Sequence, residues 1–202
     1  VAANTVQVGW FANHFWRAVA TRCAASMGIA SESKQWAKDL DYLAKSYVDR
    51  QGWVSIKGVN YNLSGDLHSN LLALATWSMA ATAPEGLISK SDIKAAATQL
   101  QRGKEILQRL QATYLEMPFG GGRIWPLKMV ADHVSPGNEK DAAKWIDAQF
   151  TTTFSQQTQS GNFKVTSMLA TDLELGVSRF ATDAEGQTRE TALIVIALCG
   201  GP

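Results

Sequence analysis

The longest uncharged stretch of the chain lies between Asp66 and Glu85, and its leucines, alanines, Trp77 and Met79 fall on every side of a helical projection. A helix that is apolar all round is buried all round. Ser69, Asn70, Thr76, Ser78 and Thr82 interrupt the run, and it falls short of the roughly 20 apolar residues that span a bilayer. The pattern predicts a central core helix over 64–83, capped by Ser64 or Asp66 and stopped before Pro84, with no transmembrane segment.

The elements around it follow from the same periodicities. Val8, Phe11, Phe15, Trp16, Val19 and Cys23 share one face of a predicted helix over 4–27. Trp36, Leu40, Leu43, Tyr47 and Val48 form the stripe of a second helix ending near Arg50, whose charged face of mixed sign reads as solvated. Around Lys57-Gly58 the period shortens, predicting a hairpin over 53–63. Ile93, Leu100, Leu107 and Tyr114, with Ala96, Gly103, Leu110 and Met117, repeat every seven residues, the seam of a long helix from Ser89 or Ser91 to Met117. The glycine run at 118–126 reads as a loop. It is followed by short helices over 127–133 and 138–150 and an uncharged polar linker over 151–162.

Beyond Asn162 three segments, 163–170, 173–181 and 189–199, read as strands, the last apolar on both faces. The expected fold class is therefore α+β: an N-terminal helical bundle around 64–83, with a C-terminal antiparallel sheet of about three strands. At 202 residues this is expected to be a single domain. The start at Val1 and the Gly-Gly-Pro end after a strand candidate lead us to expect a processed or longer natural chain.

Composition narrows the function classes. The net charge is +1, and no basic stripe or nucleic-acid motif occurs, so a polyanionic partner is not expected. Charged residues make up 18%, against about 25% in an average soluble protein. With seven tryptophans, this composition favours an interface or a sugar-binding face. Cys23 and Cys199 leave the redox compartment open: they pair if the first helix packs on the last strand, and are otherwise buried thiols.

Candidate chemistry is sparse. His14, His68 and His133 sit on separate segments without HExxH or CxxC spacing, so no metal and no cofactor is expected. No nucleophile elbow or phosphate loop is present, and no catalytic residue is assigned. Trp10, His14 and Arg17 form one row on the first helix, opposite its apolar face, and are the candidate partner surface. The first expectation is a non-catalytic binding or assembly subunit, working as an oligomer through protein–protein contacts. The alternative is an extracytoplasmic hydrolase or lyase acting on a glycan, drawn from Trp53, Asn60, Tyr61, His68 and Arg123. Localisation leans with these to extracytoplasmic or to a larger assembly.

Overall fold

The computed structural model describes residues 10–29, 33–48, 52–53, 63–103, 105–106, 108–109, 121–131, 139–155, 157, 159–161, 191–192, 195–196 and 199. Its elements are α1 (Trp10–Ser26), α2 (Ser33–Lys45), β1 (Tyr47–Val48), β2 (Gly52–Trp53), α3 (Leu63–Ala81), α4 (Lys90–Gln101), α5 (Gly121–Ala131) and α6 (Glu139–Phe154). Helix α3 is the axis. It packs chiefly on α1, α4 and α5, and also meets α2 and β2. Every residue from Asn70 to Ala80 is buried, as the absence of a polar face requires.

The core around α3 is aromatic. Phe15 and Trp16 of α1 and Trp125 of α5 form a triad, with Phe15 edge-on to Trp125 at 5.5 Å and Trp16 tilted against Trp125 at 6.0 Å. Such pairs add about 0.5–1.5 kcal/mol each beyond the area they bury. Trp36, Trp53, Trp77 and Trp125 are all among the largest fully buried side chains. The tryptophans that suggested a sticky surface are thus largely spent in the interior.

Helix α4 opens on an N-cap serine. Ser89 Oγ accepts the Asp92 backbone N–H at 3.1 Å and donates to Asp92 Oδ2 at 2.6 Å. The helix closes at Arg102, and helical residues resume at Gly103, so the continuous helix anticipated to Met117 is interrupted. Ala96, Leu100 and Gly103 of the heptad series are buried. Leu107, Leu110, Tyr114 and Met117 lie outside the described residues.

At Gly103 an added Cβ would sit 2.5 Å from Cδ2 of the fully buried Leu74 on α3. Overpacking there costs about 1–3 kcal/mol, more than the ~1 kcal/mol of helix propensity regained by removing glycine. Gly103→Leu is therefore expected to lower the melting temperature. A rise would show that the two helices do not approach closely at this point.

The α+β expectation is corrected. The described residues are predominantly helical, and their only sheet is the two-stranded β1–β2 pair, with Tyr47 opposite Trp53 and Val48 opposite Gly52. In the third strand candidate, Thr191, Ala192, Val195 and Ile196 are helical, and Cys199 N–H donates to the Val195 carbonyl at 2.9 Å, an i→i−4 bond. A short apolar run carries no period of its own, and the described residues of this one are helical, with Ile196 against the core and Val195 exposed. The candidates at 163–170 and 173–181 lie outside the described residues.

Three smaller corrections share one theme, that local pattern misplaces boundaries. Helix α2 stops at Lys45, so Tyr47 and Val48 leave its stripe and pair forward with Gly52-Trp53. Trp53 therefore pairs with an upstream strand and Leu63 already opens α3, while residues 54–62 of the hairpin expected over 53–63 lie outside the described residues. Helix α5 starts inside the glycine run and carries Pro126 in its interior, where the missing N–H leaves the Gly122 carbonyl without its helical partner. Helix α6 continues through Phe154 into the expected linker. Phe154 packs on Phe150 one turn back at 5.9 Å, and Thr153 is buried.

Candidate functional site

Most of the titratable chemistry gathered by the described fold lies between α1 and α2. His14 and Arg17 stand three residues apart on α1, and Gln35 and Asp39 four apart on α2, so each pair shares a helix face. The two faces meet. Arg17 donates to both oxygens of Asp39, Nε to Oδ2 at 2.7 Å and Nη2 to Oδ1 at 2.8 Å. This two-pronged geometry is the strongest form of a guanidinium–carboxylate pair. His14 Nδ1 lies 2.9 Å from Asp39 Oδ1, and Gln35 Nε2 donates to the same oxygen at 3.1 Å. The Tyr42 ring tilts against the imidazole at 5.3 Å.

His14 Nδ1 is also 2.9 Å from Arg17 Nη2. A proton on Nδ1 serves Asp39, whereas a lone pair there serves Arg17, so the two contacts are tautomeric alternatives. Burial alone would raise the Asp39 carboxyl. The hydrogen bonds from His14 and Arg17, the charge of His14 and the bond from Gln35 outweigh it and hold the group below the usual carboxylate range.

A carboxylate that orients an imidazole is also the second half of many catalytic dyads. Here the accessibility argues against that use. His14 and Asp39 are each only 2% exposed, and Arg17 is half exposed with its guanidinium already engaged. What the geometry does is clamp α2 onto α1 through a bonded polar cluster beside their apolar contacts. Of the expected partner row, His14 is thereby buried against α2, while Arg17 stays half exposed. Trp10 opens α1, and its side chain lies outside the described residues.

Of the glycan set, the described residues place only the side chain of Trp53. Trp53 is 0% exposed, packed edge-on to Tyr47 at 5.1 Å, and offers no face to a sugar. Asn60 and Tyr61 lie outside the described residues. His68 falls in α3 and Arg123 in the first turn of α5, and the side chains of both lie outside the described residues. Among the described residues no group of three or more His, Cys, Asp or Glu is placed to hold a metal ion. Both cysteines are free, Cys23 half-buried and Cys199 exposed. No described helix is long and apolar enough to cross a membrane.

Two polar residues that organise the fold were not singled out from sequence. Asp39 had been assigned to the solvated face of α2, yet it stands three residues after Trp36 and immediately before Leu40, within the buried stripe. A carboxylate in a stripe position, with a His/Arg row on the preceding helix, is the signal that would have found it. Asn70 accepts the Trp53 backbone N–H at Oδ1 (2.7 Å) and donates from Nδ2 to the Trp53 carbonyl (3.2 Å). Its signal was an amide in a charge-free helix flanked by leucines. No protein-family description, curated protein or solved structure matches this chain.

Proposed function

We propose that the chain is a non-catalytic binding or assembly subunit acting through protein–protein contacts. The observation that carries this reading is the shoulder after α1, where Met27 is 66% and Ile29 55% exposed. These two side chains are held on a defined turn. Ile29 N–H donates to the Ala24 carbonyl at 2.9 Å and Gly28 N–H to the Ala25 carbonyl at 3.0 Å, with Gly28 at φ +70°. That is the Schellman end of a helix, which glycine makes possible. Large apolar side chains presented on a preformed turn spare the cost of ordering the backbone on association, a condition that favours their use as anchors. The low charge content of the chain favours the same reading.

The test is particle mass in dilute solution. A defined oligomer is expected, and Met27→Lys combined with Ile29→Lys should shift the mass toward monomer while the helical signal stays intact. A wild-type chain that is already monomeric, or a mass unmoved by both charges, overturns the self-assembly form of the proposal.

A further inference from the structure

We draw no further inference here: the strongest candidate, the open depression of about 420 Å³ between the end of α3 and the start of α4, floored by Ala83, Ile88 and Ile93 with Glu85 and Lys90 at its rim, is an unpartnered apolar groove, and nothing in the structure shows what covers it.

Discussion

Asn70→Leu is expected to lower the stability of the fold by about 2–5 kcal/mol, since each buried backbone group left without a partner costs about 1–3 kcal/mol. The two side chains share one branched shape and leucine is the larger, so the cost is not that of a cavity. It arises because the Asn70 amide serves as a one-residue strand on the outer edge of β2, satisfying both the N–H and the carbonyl of Trp53. Trp53 is fully buried, and water does not replace those bonds without opening the core. The fit is tight on the other side as well. Gly52 adopts φ +88°, and a Cβ there would run into the Asn70 amide oxygen and lie 2.9 Å from Cδ1 of Ile106. The measurement is urea unfolding followed by tryptophan fluorescence, with Asn70→Asp as companion. Aspartate keeps the acceptor but loses the donor and adds a buried charge, so it should be no better tolerated than leucine. A leucine variant within about 0.5 kcal/mol of wild type, the usual range for an exposed substitution, would show that Trp53 finds its partners elsewhere.

What could be read from sequence, and what could not, separates along physical lines. Helix α3 was legible because charge exclusion over one long run has a single explanation at that length. That a serine opens α4 was legible because N-cap chemistry is local, although the pattern left Ser89 and Ser91 both open. A close helix approach at Gly103 was legible because glycine inside a heptad series needs a reason, but its neighbour Leu74 was not. The C-terminal segment was misread because eight apolar residues fit a buried strand and a buried helix equally, and only the chain packed against them decides. The β1–β2 pair was misread for a related reason. Tyr47 and Val48 continue the α2 stripe in projection, so nothing in the pattern marks the helix end at Lys45. The candidate site depends on tertiary information. A row of Trp10, His14 and Arg17 does not reveal which helix lies against its His14 and Arg17 members. That required recognising Asp39 as the inward member of α2, a statement about two helices at once.

Asp39→Ala is expected to be the second costly change, by about 3–5 kcal/mol, the range for removing one partner of a buried ion pair. An exposed pair would be worth only about 0–1 kcal/mol, so the size of the loss itself decides whether the clamp is buried. The value belongs toward the lower end, because Arg17 is half exposed and recovers water, whereas buried His14 does not. Asp39→Asn retains an acceptor for Arg17 and should cost less than alanine. The two also differ in pH dependence. The folded Asp39 carboxyl titrates below its unfolded counterpart, at about 3.9, so between the two values the folded chain holds fewer protons than the unfolded one. Its contribution is therefore complete above the unfolded value and is lost as pH falls through the folded one. Below about pH 5, the stability gap between wild type and Asp39→Asn should narrow as the pH falls past about 4. Chemical unfolding of both chains across that range measures it. A gap that stays constant to pH 3, or an alanine variant that loses less than about 1 kcal/mol, would show that α1 and α2 are held by Phe15, Trp36 and Leu40 without the help of the carboxylate.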